Sequence, residues 1–87
     1  MSVVYEEQFK SELRNIISYK KNAAKKFSYD LKDLIETNVA KNPTMYKASL
    51  YMDDENYHDM VVKGYTIIYK IVENEIRVLD IFKWQIR

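Results

Sequence analysis

The hydrophobic period of this 87-residue chain changes once, at Asn42-Pro43. Ahead of that dipeptide, Phe9, Leu13, Ile16, Ile17 and Ala24 recur at helical spacing among charged residues, and Phe27, Leu31, Leu34, Ile35 and Val39 repeat the pattern. Behind it, Tyr57 to Val62, Tyr65 to Val72 and Ile76 to Trp84 alternate or run continuously β-prone. The second helix must end before Asn42, because proline disfavours helical backbone at the residue preceding it. Asn22 is the expected turn or cap between the helices, and so short a connection makes them an antiparallel hairpin. Lys63-Gly64 and Glu73-Asn74 fall at the breaks between strands, where Gly and Asn are expected to supply the positive φ of tight turns. Tyr65 to Val72 is apolar or aromatic at nearly every position, as suits a central strand covered on both faces. With Ser2 to Tyr5 as an edge strand, the expected fold class is α+β: an N-terminal strand, then an antiparallel helical hairpin packed on an antiparallel β-sheet. One domain over residues 1–87 is expected, since the single Gly and single Pro mark no linker.

The same residues exclude several chemistries. The chain has no cysteine and one histidine, His58, so Cys-based zinc and iron–sulfur sites and multi-histidine metal sites are out of reach. Asp53-Asp54-Glu55 reads as a solvated acidic loop, because consecutive carboxylates rarely converge on one ion. No metal and no cofactor are expected. There is no Gly-rich phosphate loop, Ser-His-Asp pattern or paired-carboxylate spacing, so hydrolase, kinase and dinucleotide classes find no support. Neither a membrane span nor a secretory leader is visible, and a cytoplasmic location without a membrane partner is expected. The net charge is only +1, but its distribution is uneven: Met1 to Lys47 carry nine Lys or Arg against six Asp or Glu, and Ala48 to Arg87 carry five against seven. The basic excess lies between Lys10 and Lys32.

Three stretches resemble one family. They are Ile16-Ile17-Ser18-Tyr19 with Ala24-Lys25-Lys26-Phe27 and Leu31, Asn42-Pro43, and Gly64-Tyr65-Thr66-Ile67-Ile68-Tyr69-Lys70-Ile71 leading to Ile76-Arg77-Val78-Leu79-Asp80-Ile81-Phe82. In order and spacing they resemble the RelE/ParE superfamily of type II toxin–antitoxin toxins over nearly the whole chain. The resemblance implies a small toxin, linked to growth inhibition and plasmid stabilisation, that a partially disordered antitoxin wraps and neutralises. RelE-like members cleave mRNA on the ribosome, and ParE-like members poison DNA gyrase. In the RNase branch an arginine typically follows the Gly-Tyr that opens the third strand, and this chain has Thr66 there. Basic residues usually occupy the preceding strand, where this chain has Tyr57-His58-Asp59-Met60. Metal-free RNA cleavage needs an acid, a base and cations around the phosphorane, and Thr66 removes a bidentate phosphate contact. The helical hairpin also looks closer to the ParE side, so the expectation is binding of a target protein. The alternative is a ribosome-dependent endoribonuclease with an altered site.

Candidate residues follow from both readings. Histidine is the side-chain type whose unperturbed pKa lies near neutrality, which makes His58 the natural acid–base candidate, although a half-exposed strand histidine beside Asp59 is the preferred reading. For the RNase alternative the candidates are His58, Lys63, Arg77, Lys83 and Arg87. Lys83, Trp84, Gln85 and Arg87 are the expected target contact, because Trp and Arg are enriched at binding hot spots. Lys20, Lys21, Lys25 and Lys26 straddle the interhelical turn and are the expected antitoxin contact. Tyr65 and Tyr69 share a strand face and are expected to pack beneath the helices.

Overall fold

The computed structural model describes residues 2–46, 48–49 and 56–83. Strand β1 (Ser2–Tyr5) leads into helix α1 (Glu7–Ser18), and a 3₁₀ turn at Lys21–Ala23 connects it to α2 (Ala24–Leu34). A π turn over Ile35–Val39 extends α2 before strands β2 (Tyr57–Val62), β3 (Tyr65–Val72) and β4 (Glu75–Lys83). The sheet order is β1-β4-β3-β2. The meander is antiparallel as expected, whereas β1 lies parallel to β4, with Val3 opposite Ile76 and Tyr5 opposite Val78, so the sheet is mixed.

Both helices bury one stripe on the sheet. Phe9 and Leu13 of α1 meet Phe27, Leu31, Ile35 and Val39, and all six are buried against Met60, Ile67, Tyr69, Ile76, Val78 and Ile81. The second stripe runs in steps of four residues, which in an α-helix drifts by about 40° per step away from any fixed direction. The π turn closes i→i+5, winds less per residue and returns Val39 to the core side. A bulge performs the same service in β4. Ile68 faces Asp80 while Tyr69 faces Val78, so Leu79 is an extra residue. A one-residue shift flips the face of everything beyond it, which puts Ile81 under the helices and Asp80 on the opposite side.

Gly64 supplies the positive φ expected of it (+83°), together with Lys63 at 54°, whereas in the second hairpin Glu73 (55°) takes it instead of Asn74; Asn22 lies within the interhelical 3₁₀ turn, as expected, and Lys21 there also has a positive φ (49°). Asn22 caps nothing with its side chain. A left-handed conformation costs a side-chain-bearing residue ~1–2 kcal/mol, partly offset by the extra chain entropy of glycine. Glu73→Gly is therefore expected to raise stability by about 0.5–1 kcal/mol, read as a higher urea midpoint at unchanged slope.

Candidate functional site

The helices pack on one sheet face, and on the opposite face strand registers bring distant residues together at the centre. Asp59 on β2, Ile68 on β3 and Asp80 on β4 form one cross-strand row, and Val61, Thr66 and Phe82 form the next. Asp59, Thr66 and Ile68 are buried. Thr66 Oγ1 has no hydrogen-bond partner among the described residues, and Asp80 Oδ1 accepts from the Ile81 N–H at 2.8 Å. Carboxylates and a hydroxyl therefore occupy the middle of this face. The row on the other side is Tyr57, Lys70 and Arg77, so the cations that flank this centre among the described residues lie toward one end of the face, with Lys70 Nζ 5.0 Å from the Tyr57 ring centre.

Of the candidates for RNA cleavage, the four described ones lie on separate parts of the sheet. His58 lies on the helix side of the sheet, with its ring stacked on Tyr69 at 5.3 Å and Nδ1 2.8 Å from the Tyr46 carbonyl oxygen. A carbonyl only accepts, so Nδ1 carries the proton and the ring fastens residue 46 to β2. His58 is thus buried instead of half-exposed. Tyr69 completes the fastening: its hydroxyl donates to the Pro43 carbonyl at 2.7 Å, and burial raises its pKa above the ordinary tyrosine value. Arg77 is clamped at the start of β4, Nη1 to Glu6 at 2.6 Å and Nε to Glu75 at 2.8 Å, and these carboxylates hold its pKa up. Lys63 sits in the β2–β3 turn, 3.6 Å from Asp30. Lys83 ends β4 beside a cavity of ≈ 440 Å³ that Ile16, Tyr19, Tyr65 and Phe82 also line. Arg87, together with Trp84, Gln85 and the acidic run Asp53-Asp54-Glu55, lies outside the described residues. Among the described residues no three His, Cys, Asp or Glu gather to hold a metal ion, and no helix is long and apolar enough to cross a membrane.

The turn lysines also separate. Lys20 Nζ sits 4.3 Å over the Phe27 ring and 5.4 Å from the centre of Tyr65, closing the end of the core. Lys26 pairs with Asp30 at 3.2 Å. Lys21 and Lys25 instead border a groove between α1 and α2 that the reading of the turn had not delimited. Two hollows of ≈ 250 and ≈ 690 Å³ share Ile17, Ser28 and Lys32, so they form one continuous groove. Lys10 and Arg14 extend its basic border along α1. The signal was the basic excess from Lys10 to Lys32, whose helical spacing places these residues on facing stripes.

What this arrangement resembles agrees with its geometry. The model of the ParE toxin of the type II toxin–antitoxin system parDE matches residues 3–84. Among solved structures, the chromosomal ParDE system of P. aeruginosa superposes with a TM-score of 0.71 at 14% identity, covering 98% of this chain and 97% of that chain. The isolated E. coli RelE toxin gives 0.64 at 18% identity over 99% and 86% of the two chains. The YoeB dimer of Staphylococcus aureus gives 0.61 at 14% over 99% and 98%. No curated protein matches the chain in sequence. At these identities the structural likeness is one of fold, while the family match spans the domain from β1 to the end of β4: the chain belongs to the ParE toxin family of type II toxin–antitoxin systems.

Proposed function

We propose that this toxin inhibits growth by binding a protein target of the DNA gyrase type, not by cutting mRNA, and that an antitoxin encoded with it neutralises it. The observation that carries this reading is the centre of the sheet face opposite the helices, where Asp59, Thr66 and Asp80 stand and the flanking cations are Lys70 and an Arg77 already paired with Glu6 and Glu75, whereas RNA cleavage requires free cations around the phosphorane. The clamped Arg77 and the His58 that fastens residue 46 supply no acid–base pair in reach of a common phosphate. Target contact falls to Lys83, Trp84, Gln85 and Arg87, with Lys83 placed at an exposed strand end beside an aromatic cavity. The alternative, a ribosome-dependent endoribonuclease, has to draw its groups from His58, Lys63, Arg77, Lys83 and Arg87.

His58→Ala separates the two. The change leaves the Tyr46 carbonyl without its donor and costs about 1–3 kcal/mol of stability. Growth inhibition per folded molecule is expected to stay within a few-fold of the parent. A catalytic acid or base would contribute ~10²–10⁴-fold. Induced expression, with soluble folded protein quantified alongside colony counts, makes the comparison; loss of growth inhibition with folded protein present would favour the nuclease.

A further inference from the structure

Strand β1 pairs with β4 only from Glu75 to Val78, so among the described residues no strand lies on that side of β4 from Leu79 to Lys83. Helix α1 faces this stretch instead, and the cavity of ≈ 440 Å³ lies between them. Its walls combine three chemistries. Ile16 of α1 and the Tyr65 ring are apolar, and Glu12 and Asn15 bring side-chain oxygens that accept hydrogen bonds. Lys20 brings an ammonium that already sits against aromatic faces, 4.3 Å over the Phe27 ring and 5.4 Å from the centre of Tyr65. Tyr19, 85% exposed, is the large ring at the rim, and Lys83 forms the rim on β4.

We propose that this cavity seats the indole of Trp84 in the free chain and that a target must draw the ring out; the second half of the assignment rests on the reading of Trp84 as a target contact. Consecutive Cα atoms lie about 3.8 Å apart, so Trp84 starts from the rim that Lys83 forms. An indole uses all three chemistries of the walls: an apolar body for Ile16 and Tyr65, an N–H donor for Glu12 or Asn15, and a π face for the Lys20 ammonium. A dissolved aromatic ligand meets the same walls. Trp84, tethered one residue from the rim, is present there at an effective concentration of about millimolar or more, and displaces it. While seated, the ring is withheld as an anchor. Only the fraction of molecules with the ring out can dock, and the apparent affinity for the target falls by that fraction.

Trp84 is the chain's only tryptophan, so fluorescence excited selectively at tryptophan reads this seat in the purified full chain. Emission is expected to lie blue of free N-acetyltryptophanamide, with acrylamide quenching several-fold slower, and neither should change on dilution. Tyr19→Ala opens the exposed rim, so circular dichroism should stay unchanged while emission moves to the red and quenching rises several-fold. Ile16→Phe fills the cavity and should release the ring in the same way. Tyr29→Ala removes an exposed ring that lines a different hollow, and should leave the spectrum alone. Growth inhibition per folded molecule should rise several-fold for Tyr19→Ala, because the anchor is no longer withheld. A red, freely quenched spectrum in the parent, or one indifferent to both cavity substitutions, overturns the seat. A spectrum that changes on dilution also overturns it, by moving the burial to a contact between copies. Unchanged or lower inhibition by Tyr19→Ala with its indole released overturns the withholding of the anchor. A parent chain that does not inhibit growth counts against the toxin reading, while the fluorescence still decides the seat.

Discussion

Replacing Trp84 with alanine and removing residues 85–87 is expected to abolish growth inhibition while the chain stays folded and still binds its antitoxin. This is the largest functional effect the account expects. Lys83 ends β4 exposed, next to a cavity lined by Tyr19, Tyr65 and Phe82, and the residues that follow it add an aromatic ring and a guanidinium. Truncating an aromatic anchor at an interface costs about 2 kcal/mol or more, roughly thirtyfold in affinity, and flanking cations mainly tune association rate and salt dependence. Colony counts after induction, circular dichroism and co-purification with antitoxin report the three properties independently. Loss of folded structure would assign Trp84 to the core. A folded and still toxic variant would place the target surface elsewhere, with the basic hairpin next in line.

Leu31→Ala is expected to lose about 3–5 kcal/mol, which in a domain of this size lowers Tm by roughly 12–40 °C. Leu31 has no exposed surface, and it lies one step of four residues from both Phe27 and Ile35 in the stripe that α2 presses on the sheet. The neighbouring helix and sheet are held by their own hydrogen bonds and collapse only partly into the space left behind. Val61→Ala is the control: Val61, on the edge strand β2, is 56% exposed on the face opposite the helices, and its truncation should change stability by no more than about 0.5 kcal/mol. A thermal melt of both variants makes the check.

The helices and the meander were readable because each buries one face at a regular period, so Phe9 and Leu13, or Ile67 and Tyr69, announce their element and its orientation together. Where two periods had to be reconciled, the local pattern was ambiguous. The four-residue steps from Phe27 to Val39 fit a single α-helix on inspection, yet they needed a π turn to stay over the sheet. In β4 the step from Val78 to Ile81 is three residues where alternation wants two, a trace of the bulge that only the pairing with β3 makes definite. The parallel setting of β1 depends on a crossover through both helices, which no local residue encodes. Asn74 left the positive φ of its turn to Glu73, because strand register decides where the backbone must reverse.

The site was less readable than the fold. Successive helical residues point about 100° apart, so four lysines that cluster in sequence divide among a ring face, an ion pair and a groove border. Asp59 and Asp80 are far apart along the chain and meet across Ile68 only once three strands are in register. Thr66 alone carried a clear message, because the position after the opening Gly-Tyr of β3 could be compared with the arginine implied by the RNase branch.

Adding the purified chain in parallel to a DNA gyrase supercoiling reaction and to ribosomes translating a defined mRNA tests the central claim most directly. Supercoiling is expected to stop at chain concentrations that leave the mRNA intact. Ribosome-dependent cleavage of the mRNA, with supercoiling unaffected, would contradict it.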